Sequence, residues 1–187
     1  MKLPIFAYGQ PVLRKVADDI DKDYPDLKAL IENMWDTMYN AHGVGLAAPQ
    51  IGLGIRLFLV DSAQLDEEDD EQAGEGIRKV FINAQIEEED GEPWSYEEGC
   101  LSIPDIRESV ERPEWIKIRY MDENFVEHVE EYDGLNARII QHEYDHIDGV
   151  LFLDYLGPLK KRMLKKKLDK ISRGRIDVNY KMRFPIR

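Results

Sequence analysis

An HExxH pentapeptide at residues 142–146 constrains this chain more than any other feature of its sequence. It lies in a segment, residues 133–147, whose pattern predicts an α-helix. Side chains four positions apart lie on one face of a helix, with Cβ atoms roughly 5–6 Å apart, so His142 and His146 can converge on one metal ion. Glu143 then lies beside the open coordination position, where it can move protons for a bound water. The alternative is a charged amphipathic helix that spells the motif by chance.

Such a metal site needs a third ligand, because catalytic zinc-type sites combine three protein ligands with one water. No His or Glu follows His146, so the third ligand is expected upstream, where His42, His128 and Cys100 are the nitrogen and sulfur candidates. A lone cysteine is more often a buried small hydrophobe than a ligand. The missing ligand nevertheless favours Cys100, because a thiolate with two imidazoles suits Zn2+ or Fe2+ and leaves a position for water. We expect His42 and His128 to be surface or core histidines.

The remaining pattern predicts an α+β fold in a single catalytic domain, residues 1–187. Antiparallel or mixed sheets should pack around the central HExxH helix, with a basic C-terminal helix and a terminal strand following it. Apolar residues at helical spacing predict helices over 25–41, with Asp26 as its cap, and over 159–172. Asp133 as N-cap and Gly149 just past the end predict a helix over 133–147. Apolar runs and alternating patterns predict strands over 56–61, 79–87, 114–121, 125–130 and 176–184.

Charge is distributed unevenly along the chain, whose net charge is −13. Residues 157–187 contain twelve Lys or Arg and two Asp, so they carry +10 and residues 1–156 carry the remaining −23. A basic C-terminal helix and strand on an acidic body indicate a polyanionic partner, with a solvated surface helix as the alternative. The apolar stripe of that helix is expected at Met163, Leu164, Leu168 and Ile171. Residues 66–76 hold seven acids and no base, which is typical of a mobile acidic insertion.

Composition also excludes several classes of protein. The single cysteine excludes an intramolecular disulfide framework and indicates a reducing compartment. No apolar run approaches the ~18 residues needed to cross a bilayer, and residues 1–15 lack the apolar core of a signal peptide. We therefore expect a cytoplasmic protein, bacterial or organellar, that has neither a membrane nor DNA as a partner.

Three sequence motifs, taken together, resemble those of the peptide deformylase family. Residues 43–50 (GVGLAAPQ) resemble its GxGLAAxQ motif, residues 98–102 (EGCLS) its EGCLS motif, and residues 141–146 (QHEYDH) its QHExDH motif. The opening PVLR at residues 11–14 is also similar to the start of the family. The resemblance spans residues 1 to about 160. The acidic residues 66–76 and the tail beyond about 172 depart from the pattern.

The resemblance implies a metal-dependent hydrolase that removes the N-formyl group from the initiator methionine of nascent polypeptides and releases formate. It implies Cys100, His142 and His146 as ligands of one divalent ion, which is Fe2+ in most of the family and can also be Zn2+. Water on that ion would attack the formyl carbon, with Glu143 as general base and then general acid. The Gln50 side-chain amide and the Leu101 backbone N–H would donate to the developing oxyanion.

The resemblance also implies how a formylmethionyl peptide binds. The peptide would lie extended beside Val44, Gly45 and Gly99 as an added strand. The methionine side chain would enter an apolar pocket, and the candidate lining residues at its walls and mouth are Leu135, Arg138, Ile139 and Arg107. Since the substrate emerges from the ribosome, the basic C-terminal helix is expected to contact ribosomal RNA.

Two other functions remain open from the sequence. An HExxH metalloendopeptidase is one, although the chain lacks a downstream third ligand and carries the EGCLS motif. A non-enzymatic metal-binding or nucleic-acid-binding module that uses the basic tail is the other. A structural pairing is also expected, in which Asp145 binds Arg112 and orients the helix without taking part in catalysis.

Overall fold

The computed structural model describes residues 1–65 and 74–185. Within them the helices are α1 (Leu27–Asn40), α2 (Gly134–Ile147) and α3 (Pro158–Ser172), each within two residues of its predicted bounds. The predicted acidic insertion, residues 66–76, lies outside the described residues except for its last three positions. Among the described residues, no helix has both the length and the apolar character needed to cross a membrane.

The strands of the described chain form three sheets. In chain order they are β1 (Ile5–Phe6), β2 (Gly45–Ala47), β3 (Leu57–Asp61), β4 (Arg78–Asp90), β5 (Trp94–Cys100), β6 (Ile103–Arg112), β7 (Trp115–Met121), β8 (Glu127–Asp133) and β9 (Met182–Arg183). An antiparallel sheet has the order β2-β3-β4-β7-β8, β5 and β6 form a separate hairpin, and β1 pairs with β9 in parallel. The expected α+β class is confirmed; two of the sheets are antiparallel and the β1–β9 pair is parallel.

Helix α2 lies between the five-stranded sheet and the β5–β6 hairpin. Its apolar residues share one buried cluster with side chains of the sheet; the cluster includes Leu135, Ile139, Ile140, Ile147, Phe58, Phe81 and Ile118. Burial of each such side chain contributes ~1.5–3 kcal/mol relative to exposure. The side of α2 that faces the hairpin carries Arg138 and His142, which bond to hairpin residues. The HExxH motif is therefore held between two layers and cannot swing freely.

The β5–β6 hairpin was not predicted from the sequence. Its inward positions include the buried charged residues Glu98 and Arg112, which interrupt the apolar alternation expected of a half-buried strand. These two side chains bind each other across the hairpin at 2.7 Å, and the pairing offsets part of the cost of burying the two charges. The two charged residues therefore hid the alternation that predicts a strand, because a local sequence window does not show that they pair.

The C-terminal strand is shorter than predicted. The alternation over residues 176–184 predicts one strand, but only Met182–Arg183 is a strand. Alternate side chains are nevertheless partly buried, because Ile176, Met182 and Phe184 pack against a core cluster near α3. The alternation therefore reflects packing against the body over most of its length and a strand ladder only at its end.

Three smaller expectations need correction. Met163 is expected in the buried stripe of α3, but it is 67% exposed, whereas Leu164, Leu168 and Ile171 are buried. Its position at the edge of the stripe puts it on the solvent side of the helix. Asp26 and Asp133 occupy the N-cap positions of α1 and α2, but neither side chain makes a capping hydrogen bond.

Candidate metal centre and active site

Cys100, His142 and His146 lie together, although they come from two different elements. One donor atom from each lies within 4.8 Å of the other two, and Cys100 Sγ is 3.4 Å from Nε2 of His146. Helix α2 supplies both imidazoles, one turn apart, and the end of β5 supplies the thiol. The structure does not bring His42 or His128 into this cluster. His42 is exposed, and His128 bonds to a carboxylate on the far hairpin turn.

Glu98 orients the first histidine of the motif. Its Oε1 lies 2.8 Å from Nδ1 of His142, so Nδ1–H donates to the carboxylate and Nε2 is left to face the cluster. Arg112 donates to both oxygens of the same carboxylate, at 2.7 and 2.9 Å. Burial alone would raise the pKa of Glu98, but the hydrogen bonds from His142 and Arg112 outweigh it and hold the pKa well below its usual range. Glu98 is therefore an anion beside the imidazole.

Arg112 also connects the site to the far end of the motif. It donates to Asp145 at 2.8 Å, and the Tyr155 hydroxyl donates to the same Asp145 oxygen at 2.8 Å. The expected pairing of Asp145 with Arg112 is confirmed. Arg138, only 1% exposed, completes the network by donating to Glu98 at 2.8 Å. The buried carboxylate of Glu98 thus contacts two guanidinium groups and one imidazole, which fixes the spacing between α2 and the hairpin.

The donor set fits a divalent transition-metal ion. One thiolate and two imidazoles are ligands that Zn2+ and Fe2+ accept, with a fourth position free for water. Burial, and then repulsion by His142 and Arg112, lower the pKa of His146 well below its usual value. His146 is therefore neutral, which is the form of imidazole that binds metals.

Glu143 lies next to the cluster and makes no structural contact through one of its oxygens. It is 4% exposed, and Oε2 has no hydrogen-bond partner among the described residues. Burial raises the pKa of Glu143 to about 7. Its carboxylate approaches the backbone of Gly45 so closely that a Cβ at that position would lie 2.4 Å from Oε1. Glycine at position 45 is therefore required by the position of the acid.

Gln50 faces the same cluster from the short helical turn after β2. Its Oε1 accepts from the Ala47 backbone N–H at 2.9 Å, which fixes the orientation of the amide. Nε2 then lies 3.4 Å from Cys100 Sγ and 3.3 Å from Ser102 Oγ. Leu101 lies in the turn between β5 and β6, and its backbone N–H has no acceptor among the described residues. The Leu101 N–H is thus without an acceptor beside the cluster, whereas the two Nε2–H groups of Gln50 point at Cys100 Sγ and Ser102 Oγ.

These groups open into a cleft of about 620 Å³. Every expected substrate-binding residue lines it; these are Val44, Gly45, Gly99, Arg107, Leu135, Arg138 and Ile139. Strand β2 forms one edge of the five-stranded sheet, and β5 pairs with β6 alone. The Arg138 guanidinium is occupied by Glu98 and by the Trp94 and Val110 carbonyls, so Arg138 presents little more than its stem to the cleft.

Comparison with known proteins identifies the family. The sequence model of the family described as polypeptide deformylase matches residues 2–162. A peptide deformylase of Christiangramia forsetii is 62% identical over 190 aligned residues, which cover 99% of this chain and 97% of that protein. The chain belongs to the peptide deformylase family. Another member, from Cytophaga hutchinsonii, is 55% identical, with 100% of both chains covered.

A solved structure of a peptide deformylase, from Legionella pneumophila, shares the fold. It matches with a TM-score of 0.79 and 37% identity, over 94% of this chain and 98% of that one. Proteins of this family are metal-dependent hydrolases, and the cluster of Cys100, His142 and His146 is the corresponding candidate metal site in this chain.

Two parts of the site are not evident from the sequence. In the sequence, Glu98 is only the first residue of the EGCLS motif and has no assigned role, although it binds His142, Arg112 and Arg138. Its position two residues before Cys100 is a signal that could have found it, because alternate residues of a strand face the same side. The tail residues 177–180, which also line the cleft, carry no chemical motif and become visible only in three dimensions.

Proposed function

We propose that this protein removes the N-formyl group from N-formylmethionyl peptides and releases formate. The observation that carries the proposal is the convergence of a thiol, two imidazoles, the unpaired acid Glu143 and the amide of Gln50 in one peptide-sized cleft. The proposed ligands are Cys100 Sγ and the Nε2 atoms of His142 and His146. When bound, a divalent cation supplies a Lewis acid and nucleophilic water near neutral pH.

Glu143 moves the protons of the reaction. Its Oε2 lacks a partner among the described residues, so it is free to accept a proton from the attacking water. The same carboxyl then returns that proton to the departing amine of methionine, which makes the amine a better leaving group. A pKa near neutrality, which burial produces, suits a group that must both accept and donate a proton.

Gln50 and Leu101 stabilise the charge that develops on the former formyl oxygen. The backbone N–H of Leu101 has no acceptor among the described residues, and the Gln50 amide is held in orientation by the Ala47 N–H. Gln50 Nε2 would exchange its contact with Cys100 Sγ or Ser102 Oγ for the oxyanion. Preorganised donors of this kind typically contribute ~2.7–4 kcal/mol each to lowering the barrier.

The peptide binds in an extended form between the two sheet edges. The β2 edge at Val44 and Gly45 and the β5 edge at Gly99 offer backbone groups for strand addition. The methionine side chain occupies the apolar wall formed by Leu135 and Ile139. The stem of Arg138 contributes to that wall, and Arg107 lies at the mouth.

The test is anaerobic formate release from formyl-Met-Ala-Ser, with the metal content of the same sample measured. Glu143→Gln keeps the size of the side chain but removes the proton acceptor, so we expect full metal content and a rate lowered by about 10²–10⁴-fold. Glu143→Asp, which keeps a carboxylate, serves as the matched control and should retain more activity than Glu143→Gln. Cleavage of unformylated proteins without formate release would point to an endopeptidase and overturn the proposal.

We also propose Fe2+ as the native ion, with Zn2+ as the ion that can replace it, since the ligand set accepts both. Elemental analysis of protein purified without oxygen, with catalase present, should find iron near one equivalent. Zinc at one equivalent in such a preparation would contradict this part of the proposal. The proposed location is the cytoplasm of a bacterium or the interior of an organelle that makes protein, because the substrate is present only where chains are being synthesised.

Helix α3 is the proposed contact with the ribosome. It buries Leu164, Leu168 and Ile171 and leaves its lysines in solvent, together with Leu159 and Met163, which are 72% and 67% exposed. The exposed face therefore combines positive charge with two apolar side chains. Contact with RNA phosphates should weaken steeply with salt, because each neutralised phosphate releases counterions.

The triple change Lys161, Lys165 and Lys166→Glu should abolish cosedimentation with ribosomes at low salt while tripeptide turnover stays unchanged. The matched control places the same charge change elsewhere, at the exposed residues Lys2, Lys22 and Lys28. Equal cosedimentation of the two triple variants and the wild type would contradict docking through α3. A large fall in melting temperature for the α3 variant alone would favour a structural role instead.

A further inference from the structure

The two ends of the described chain meet beside the turn that joins β5 to β6, residues 101–102. Strand β9 pairs with β1, with Ile5 N–H donating to the Lys181 carbonyl and Ala7 N–H to the Arg183 carbonyl, both at 2.9 Å. The tail before β9 lies beyond residue 162, where the match to the family sequence ends. Nothing in the family motifs therefore assigns the tail a role, yet its residues 177–180 line the cleft.

Packing fixes the course of this tail as firmly as the strand pairing does. Met182 and Phe184 pack against the core cluster that contains Ile103 and the buried face of α3. A Cβ built at Gly174 would lie 3.1 Å from the Phe184 ring, and the Gln10 side chain donates to the Arg183 carbonyl at 3.2 Å. Tyr180 immediately precedes Lys181, whose carbonyl is the first to pair with β1. Tyr180 is consequently held at a defined position along the cleft.

From this position Tyr180 forms a hydrogen bond with the turn between β5 and β6. Its hydroxyl donates to the Leu101 carbonyl at 2.8 Å. The next carbonyl, that of Ser102, accepts from Tyr8 N–H at 2.9 Å. One contact thus comes from the carboxyl-terminal segment and one from the amino-terminal segment, on consecutive peptide groups. The turn that follows the ligand Cys100 is fastened to both chain ends.

We propose that Tyr180 is a positioning residue, which acts through the Leu101 carbonyl to aim the Leu101 N–H at the developing oxyanion. This inference rests on the proposed function, in which that N–H stabilises the reaction's transition state. The N–H and the carbonyl of Leu101 belong to adjacent peptide planes, related by rotation at its Cα. Anchoring the carbonyl therefore limits the directions in which the N–H can point. An oxyanion donor is effective when its orientation is fixed before the reaction.

Tyr180→Phe removes only the hydroxyl, and Tyr8→Phe is the matched control. Tyr8 packs against the same core cluster from the other chain end, and its hydroxyl has no hydrogen bond among residues 1–65 and 74–185. With metal-loaded enzyme and formyl-Met-Ala-Ser, Tyr180→Phe should lower kcat about 3- to 10-fold, the effect of one hydrogen bond. KM should stay within about twofold, because the donor acts mainly in the transition state. Metal content should be unchanged.

A second measurement does not depend on activity. Amide hydrogen exchange, followed by NMR on the same proteins, should be faster at Tyr8, whose N–H donates to the Ser102 carbonyl of the turn, in Tyr180→Phe than in the wild type or Tyr8→Phe. Unchanged exchange at this amide, or equal kcat values for the two Phe variants, overturns the positioning role. If the wild type releases no formate, the proposed function fails, and the exchange comparison alone decides whether Tyr180 holds the turn.

Discussion

The Glu98 carboxylate accepts the Nδ1–H of His142 at 2.8 Å, and this contact determines which ring nitrogen can serve a metal. Because Arg112 and Arg138 donate to the same carboxylate, Glu98 cannot turn away from the imidazole without depriving the buried Arg138 of its carboxylate partner and leaving Arg112 with Asp145 alone. The orientation of the metal ligand is therefore coupled to the packing of α2 against the β5–β6 hairpin.

Replacement of Glu98 should consequently affect metal binding and stability together. Glu98→Gln removes the negative charge, so we expect metal affinity to fall by about 10–100-fold, as for other partners of ligating histidines. The buried Arg112 loses its main partner, so the free energy of unfolding should fall by about 3–5 kcal/mol. Competition with a chelator measures the first effect, and denaturant unfolding of the metal-free protein measures the second.

The adjacent Glu97 provides the control for this experiment. It is exposed and faces the opposite side of β5, where it pairs loosely with Arg107 at 3.6 Å. Glu97→Gln should leave metal affinity and stability near wild type, since exposed ion pairs contribute ~0–1 kcal/mol. Metal affinity equal in the Glu97 and Glu98 variants would show that the carboxylate does not tune the histidine.

Gly45 should tolerate no side chain, because the Glu143 carboxylate occupies the space beside it. A Cβ there would lie 2.4 Å from Oε1 and 2.7 Å from the Glu143 Cδ. Gly45→Ala should displace the acid and lower the rate of formate release by about 10²-fold or more, because even a 1 Å misplacement of a catalytic group has that effect. Metal content should not change, since neither Gly45 nor Glu143 is a proposed ligand.

Gly54→Ala is the matched control for Gly45→Ala. Nothing lies within 4 Å of a Cβ built at position 54, and Gly54 does not line the cleft. We expect wild-type formate release from this variant. Equal activities of the two alanine variants would mean that the acid can move aside without loss of function.

The elements that the sequence predicted well have a strong local signal. Helix α1 follows an apolar helical period, strand β3 is a continuous apolar run, and helix α2 lies between Asp133 at its start and Gly149 just past its end; all three end within two residues of prediction. The candidate metal cluster was predictable because two of its proposed ligands lie one helical turn apart. The position of Cys100 needed elimination of alternatives and a family resemblance, since nothing local distinguishes a ligand from a buried thiol.

The elements that the sequence did not predict are stabilised by long-range contacts. The β5–β6 hairpin buries Glu98 and Arg112, a pair separated by fourteen positions whose mutual neutralisation no local window contains. The tail reaches the cleft because β9 pairs with β1 from the opposite end of the chain. The hydrogen bond from Tyr180 to the Leu101 carbonyl could not be predicted. A tyrosine in an alternating segment gives the same local pattern whether its hydroxyl is solvated or bonded to a distant carbonyl.

Glu130 should make stability depend on pH in a region remote from the cleft. Burial would raise its pKa, but hydrogen bonds from Lys79, Tyr132 and Tyr120 outweigh this and lower the pKa below 4.5. A carboxyl with a lowered folded-state pKa stabilises the protein above its ordinary pKa, and the contribution is lost as pH falls through the folded value. The melting temperature of the wild type should exceed that of Glu130→Gln at pH 7, and the difference should shrink below about pH 4.5.

Glu131→Gln tests whether this effect belongs to Glu130 specifically. Glu131 is the next residue on β8 and is exposed on the other face of the strand. Its variant should follow the wild-type melting curve at every pH. A difference between wild type and Glu130→Gln that stays constant from pH 7 to pH 3 would refute the linkage.

The apolar wall of the cleft should set the preference for methionine. Ile139 lines the cleft, whereas its neighbour Ile140 is fully buried on the sheet side of α2 and does not line it. Both changes to alanine should lower the free energy of unfolding by about 2–5 kcal/mol, because each leaves a cavity in the same core cluster.

Ile139→Ala should also lower the ratio of kcat/KM for formyl-Met over formyl-Gly peptides. The expected fall is about 4-fold for each methylene of the methionine that the shortened wall leaves in water, since burying one methylene contributes ~0.8 kcal/mol. Ile140→Ala should leave that ratio unchanged. The same fall of the ratio in both variants would place the methionine side chain elsewhere, because the preference would then depend on general core packing and not on the wall at Ile139.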